Sequence, residues 1–144
     1  MRSWDLQRSE GGWRLPIEHC RVSRCFVDHA FALEFHEGEQ SAVVRIEGTF
    51  AIRDQGRVHR LTPSAPKELG PAVGLFGQVV RSATASTRGE LEIAFEDGGV
   101  LSVQPDARYE AWEIYGPDGM RAVCTPGGEV SVWQPKDGSA PRSS

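Results

Sequence analysis

Apolar residues recur at every second position through most of this chain. Phe31, Leu33 and Phe35 alternate with Ala32, Glu34 and His36, and Leu91, Ile93 and Phe95 alternate with Glu90, Glu92, Ala94 and Glu96. A period of two is the signature of a strand that buries one face. The same reading gives strands over 41–46, 50–52, 58–61, 79–85, 101–103, 109–115, 120–124 and 130–133. Turn chemistry separates them. Gly38, Gln55-Gly56, Arg88-Gly89, Asp97-Gly98, Gly116-Pro117-Asp118-Gly119 and Pro126-Gly127-Gly128 each punctuate two apolar runs, and these residues reverse a chain by supplying left-handed or pre-bent backbone.

The start of the chain is less regular. Residues 1–12 are polar around an isolated Trp4 and end in Gly11-Gly12, so a loosely ordered lead-in is expected. Trp13, Leu15 and Ile17 alternate around Pro16, which suits an edge strand. Over 19–27, Cys20, Val22 and Phe26 share one parity, although Arg24 interrupts that face.

Only residues 62–77 change period. Leu69, Ala72, Val73 and Phe76 are spaced by three and four, Ser64 can cap, Pro66 suits a first turn, and Gly77 suits the position after a helix end. Pro71 would remove a main-chain bond in mid-helix. One short, broken helix near 65–76 is expected.

These elements predict a mostly β protein with about ten short antiparallel strands, in two packed sheets or a partly open barrel. The stretch Phe31-Ala-Leu-Glu-Phe-His-Glu-Gly38 is echoed by Leu91-Glu-Ile-Ala-Phe-Glu-Asp-Gly98. The echo implies two similar meanders whose apolar faces cover each other, with the helix between them. The domain reading is a lead-in over 1–12, one β-rich domain over 13–133 with halves 19–61 and 78–133, and a disordered tail over 134–144, which holds Pro, Gly, Ser and charge.

Length and charge narrow the function. A chain of 144 residues holds one ordinary domain and can bury a core without metal or disulfide. A formal charge of −4 argues against a nucleic-acid platform, although Arg21, Arg24, Arg45, Arg53, Arg57 and Arg60 all fall in the first half. No segment reaches the length of a membrane span, no signal peptide is evident, and three cysteines are not a disulfide framework. A cytoplasmic location is the expectation.

Candidate chemistry is sparse. His19, Cys20, Cys25, His29 and His36 lack the tight paired spacing of a zinc site. Cys124 has no base encoded nearby, and Gly74 to Gly77 and Gly98-Gly99 lack the context of a phosphate loop. No cofactor, metal or catalytic residue is assigned. The least ordinary segment is Tyr109-Glu110-Ala111-Trp112-Glu113. Glu110 shares a parity with Trp112 and Ile114, and Glu113 shares one with Tyr109 and Tyr115, so a carboxylate lies among aromatics whichever face is inward. It is either ion-paired, with Arg108 or Arg121, or raised in pKa. Tyr109, Glu110, Trp112 and Glu113 are therefore the candidate binding residues.

Residues 89–133 also carry a family pattern. Gly89-x-Leu91, Phe95-x-Asp97-Gly98, Val103, Tyr109-Glu110-Ala111-Trp112-Glu113, Gly116, Gly119, Pro126-Gly127-Gly128-Glu129 and Trp133 resemble a group of small bacterial proteins, frequent in actinobacteria, known as DUF6188. The resemblance brings no activity and no catalytic residues. The Tyr-Glu-Ala-Trp segment also resembles strands of immunity proteins from bacterial toxin systems. The expected function is a non-catalytic binding protein with a protein partner, of the kind that neutralises a toxin. Two alternatives stand beside it: a small-ligand-binding β domain with a pocket at Tyr109, Glu110 and Trp112, and an enzyme of unrecognised type.

Overall fold

Strands that bury one face must stack that face on another sheet, and the chain does this twice over. The computed structural model describes residues 2–134, so the expected tail over 134–144 lies, apart from Gln134, outside the described residues. The strands are β1 (Gln7–Ser9), β2 (Gly12–Arg14), β3 (Arg21–Val27), β4 (Phe31–Glu37), β5 (Gln40–Ile46), β6 (Phe50–Asp54), β7 (Arg57–Leu61), β8 (Val80–Ser86), β9 (Leu91–Phe95), β10 (Val100–Val103), β11 (Trp112–Tyr115), β12 (Arg121–Cys124) and β13 (Val130–Trp133). They form two antiparallel sheets. One has the order β1-β2-β8-β9-β10-β6-β7, the other β13-β12-β11-β5-β4-β3. Two packed sheets, not a closed barrel, is thus the arrangement adopted.

The echo in the sequence has a structural counterpart. Strands β3 to β7 and β8 to β12 run through the same sequence of pairings. Each unit begins with a three-stranded meander, then sends its last two strands into the opposite sheet. The result is the reciprocal core orders β3-β4-β5-β11-β12 and β8-β9-β10-β6-β7. Both meanders carry an irregularity at the same place, beside Val22 opposite Phe35 and beside Val80 opposite Phe95. The two first strands also meet. The Val22 amide donates to the Gln78 carbonyl and the Val80 amide to the Cys20 carbonyl, both at 2.9 Å.

The bulge accounts for the interruption at Arg24. One extra residue reverses the parity of everything after it. Val22 pairs with Phe35 on the inner face, whereas Arg24 pairs with Glu34 and Phe26 with Ala32 on the outer one. Phe26, expected on the inner parity of β3, is therefore outside.

Between the sheets lie Phe31, Leu33, Phe35, Leu91, Ile93, Phe95, Leu101 and Trp112, all fully buried. Each contributes on the order of 1.5–3 kcal/mol relative to exposure. The Phe31 and Phe50 rings stack across the two layers with centroids 5.5 Å apart.

The lead-in departs from expectation. Trp4 and Leu6 are buried in the core, and β1 pairs with β2 in register Gln7 to Arg14. The Trp4 indole donates to Gln40 Oε1 at 3.0 Å. Leu6 exchanges two hydrogen bonds with the Gln134 amide, at 2.7 and 3.1 Å. The helical region is shorter than expected. It consists of a 3-10 turn at Pro66–Glu68 and one turn of helix, α1 (Gly70–Val73). Pro71 opens α1 and does not interrupt it, because its missing N–H costs nothing there.

Candidate functional site

The links between sheets differ in length, and the longer one carries the expected site. Residues 47–49 carry the first unit from β5 to β6, while residues 104–111 carry the second from β10 to β11. In the longer link, Asp106 Oδ1 accepts the main-chain N–H groups of Arg108 at 2.7 Å and Tyr109 at 3.2 Å. Its carbonyl accepts from the Gly127 amide at 2.8 Å. A side chain that captures two successive amides holds the backbone in a turn and out of a ladder. The strand expected over 109–115 consequently begins only at Trp112.

The four candidate residues are not brought together. Tyr109 projects from the turn with 57% of its surface exposed, and Glu110 is exposed beside it. Glu113 lies on the outer face of the six-stranded sheet, ion-paired with Arg121 at 3.3 Å. Trp112 is 0% exposed. Its indole Nε1 donates to the Gly89 carbonyl at 2.9 Å, and Cys124 Sγ donates to the same oxygen at 3.4 Å.

Trp112 belongs to a lock between two turns. Gly89 ends the β8–β9 turn and Gly128 the β12–β13 turn, both with positive φ. A Cβ on Gly89 would run into the Gly128 carbonyl and lie 2.8 Å from Cys124 Sγ, and one on Gly128 would run into the Arg88 carbonyl. The conspicuous Gly, Trp and Gly-Gly positions of residues 89–133 thus meet at one packing junction.

Two surfaces among the described residues combine aromatic and polar groups. The first is a cleft of about 460 Å³ between the two sheet-crossing links, lined by His29, Glu47, Thr49, Thr62, Asp106 and Tyr109 among others. A second hollow of about 510 Å³ shares Thr49 and Asp106 with it and adds Arg60, Ser102 and Gln104.

The other surface is the outer face of the six-stranded sheet. Register places Val43 opposite Tyr115, Tyr115 opposite Arg121, and Arg121 opposite Trp133, in one row across four strands. The Arg121 guanidinium lies 5.2 Å from the Trp133 ring centre. Tyr115 and Trp133 are 42% and 51% exposed. Charges on this face are matched in place: Arg24 with Glu34 at 3.3 Å, Arg45 with Glu47 at 3.1 Å and Asp28 at 3.3 Å, and Arg121 with Glu113. The Ala30 amide and Arg45 together hold the Asp28 carboxyl below its ordinary value. The parity of Glu113 and Tyr115 was legible in the chain; the partners that complete the row, on β5, β12 and β13, were not.

The three thiols share one electrostatic trend. Burial pushes the Cys20 thiol up to about 11, and burial raises Cys25 and Cys124 as well. These are the reverse of an activated nucleophile. Among the described residues no cluster of three His, Cys, Asp or Glu side chains is placed to share a metal ion. No described helix is long and apolar enough to cross a membrane.

No curated protein and no solved structure matches this chain. Residues 13–134 match the family described as "Family of unknown function (DUF6188)". That span runs from β2 to the residue after β13, covering both five-stranded units and the glycine–tryptophan lock, and the chain belongs to this family.

Proposed function

We propose that the protein is a non-catalytic binding protein that docks a folded, basic protein partner on the outer face of its six-stranded sheet. The observation that carries this reading is the in-register row Val43, Tyr115, Arg121 and Trp133. Exposed tyrosine and tryptophan beside arginine are the residue types that dominate interface energetics. The ion pairs around the row leave no isolated charge to be stripped of water on docking.

The basic character of the partner follows from charge. The chain carries −4 overall. The turn ends of the same sheet bear the exposed carboxylates of Glu37, Glu39 and Asp118 at one end and Asp28 at the other. Glu37 is paired with Arg2 and Asp28 with Arg45, so Glu39 and Asp118 carry most of the attraction. An acidic rim around an aromatic centre accelerates encounter with a positively charged surface. This arrangement suits an immunity-type role in a bacterial cytoplasm, in which a small acidic protein covers a basic toxin. It fits nucleic acid poorly, because Arg24, Arg45 and Arg121 already face carboxylates of the same chain.

The test is differential capture. Tagged wild-type protein and the Tyr115→Ala/Trp133→Ala variant are exposed to lysate of the native host. The proteins retained by the wild type alone are then purified and titrated against both forms. The expected result is one basic protein that binds the wild type, loses at least tenfold in affinity for the variant, about 1.4 kcal/mol, and binds more weakly as salt rises. Identical capture by both forms overturns the proposal.

A further inference from the structure

We infer that the cleft between the two sheet-crossing links is a binding site for a neutral saccharide of one or two ring units. The inference is independent of the sheet face described above. It starts from an asymmetry. Two units with the same strand order share whatever that order requires. Residues 47–49 show that three residues suffice to cross between sheets, and yet residues 104–111 take eight. The additional length carries Asp106 and Tyr109. Its last residue, Ala111, joins the ladders on both sides, its amide donating to Cys124 and its carbonyl accepting from Glu47, while the Asp106 carbonyl ties the link to Gly127.

The lining selects the ligand chemistry by elimination. In the hollow beside Tyr109 there is no lysine or arginine, so an anion finds no permanent counter-charge. The two carboxylates are committed on one side: Asp106 Oδ1 to two amides and Glu47 Oε2 to Arg45 at 3.1 Å. They are not a naked pair awaiting a cation. Tyr109 is the only large apolar surface in this lining, so a lipid chain would find almost nothing to displace water against. What the hollow offers is hydroxyls from Thr49, Thr62 and Ser64, the remaining carboxylate oxygens, the His29 imidazole, and one exposed aromatic ring. Thr62 and Ser64 already lie 3.2 Å apart, oxygen to oxygen.

A sugar ring presents hydroxyl groups at its edge and C–H groups on its face. The edge suits the mixed donors and acceptors, and the face suits Tyr109. The volume of about 460 Å³ lies within the roughly 300–1,000 Å³ of small-molecule sites. The adjoining hollow shares Thr49 and Asp106 and adds Ser102, Gln104 and the Arg60 guanidinium, with Phe50 and Val58 beside them. It offers a second ring further hydrogen-bonding groups and apolar surface.

The experiment is ligand-observed saturation-transfer NMR on the full chain with glucose, N-acetylglucosamine and cellobiose, with inorganic phosphate and arginine amide as charged probes. The expected result is saturable transfer from at least one sugar, with neither charged probe displacing it. Tyr109→Ala is expected to weaken that sugar about tenfold, the loss of one aromatic stacking contact. Thr62→Val, which keeps shape and removes a hydroxyl, is expected to weaken it as well. Tyr109 is exposed, so its variant folds, and a native thermal transition verifies this. The inference is overturned if none of the sugars gives saturable transfer, if both variants bind as the wild type does, or if phosphate or arginine amide competes.

Discussion

The Trp112 indole donates to the Gly89 carbonyl at 2.9 Å, so a side chain of the six-stranded sheet closes a turn of the seven-stranded one. Trp112→Phe keeps most of the ring volume and removes this bond. Cys124 Sγ still reaches the same oxygen, so the expected cost is at the lower end of the roughly 1–3 kcal/mol for an orphaned buried group. Trp112→Ala also opens a cavity and is expected to cost about 3–5 kcal/mol. Urea unfolding of the two variants measures both numbers; a Trp112→Phe cost near zero would refute the hydrogen-bond component, and equal costs would refute the cavity component.

Two glycines with nearly the same backbone separate strain from collision. Gly89 has φ +93 and Gly98 has φ +97, but a Cβ on Gly98 meets nothing within 4 Å. Gly98→Ala is expected to cost only backbone strain, about 1–3 kcal/mol. Gly89→Ala adds the collision with Gly128 and Cys124 and is expected to be clearly worse. Thermal denaturation of the pair ranks them, and the reverse ranking would remove the turn-to-turn lock.

The three thiols differ in access. Cys20 and Cys124 are buried and Cys25 is half-buried. In the native state iodoacetamide is expected to label Cys25 alone, and slowly, because burial raises its pKa and the thiolate is the reactive form. Mass spectrometry counts the labels.

Alkaline pH tests the Cys20 environment. Burial raises this thiol from 9.0 to about 11. The unfolded chain ionises first, so the contribution is complete below pH 9.0 and lost as pH rises through about 11. The stability gap between wild type and Cys20→Ala is expected to narrow across that window. A gap that stays constant in unfolding measurements would contradict the assignment.

The lead-in is a further test. Trp4 and Leu6 are buried, so Trp4→Ala/Leu6→Ala is expected to destabilise by several kcal/mol, about 1.5–3 for each side chain. A truly loose segment would tolerate the change. Chemical denaturation distinguishes the two.

How much of this was legible depends on how far each residue reaches. The Phe31 and Leu91 strands could be read because one-sided burial writes a period of two into neighbouring residues. The bulge beside Val22 could not, since one inserted residue reverses parity without a composition of its own; Phe26 was placed on the wrong face for that reason. The Tyr109 strand was overextended because the Asp106 side chain, not propensity, decides where β11 begins. Trp4 looked isolated because its partners are Gln40 and the core, far along the chain. Within the candidate set, aromatic and acidic character singled out Tyr109 to Glu113, while the lock at Gly89 and the row through Trp133 depend on contacts that only the fold creates.

The exchange of strands between the two units has a consequence during synthesis. Val44 of β5 pairs with Ile114 of β11, and Leu101 of β10 pairs with Ile52 of β6. When the first unit leaves the ribosome, β5 has an open edge whose partner has not been made, and β6 and β7 form a hairpin with no sheet to join. Neither meander can become a finished layer until the second arrives. Such distant pairings slow folding, and the edge of β5 stays an open template for mispairing until β11 arrives.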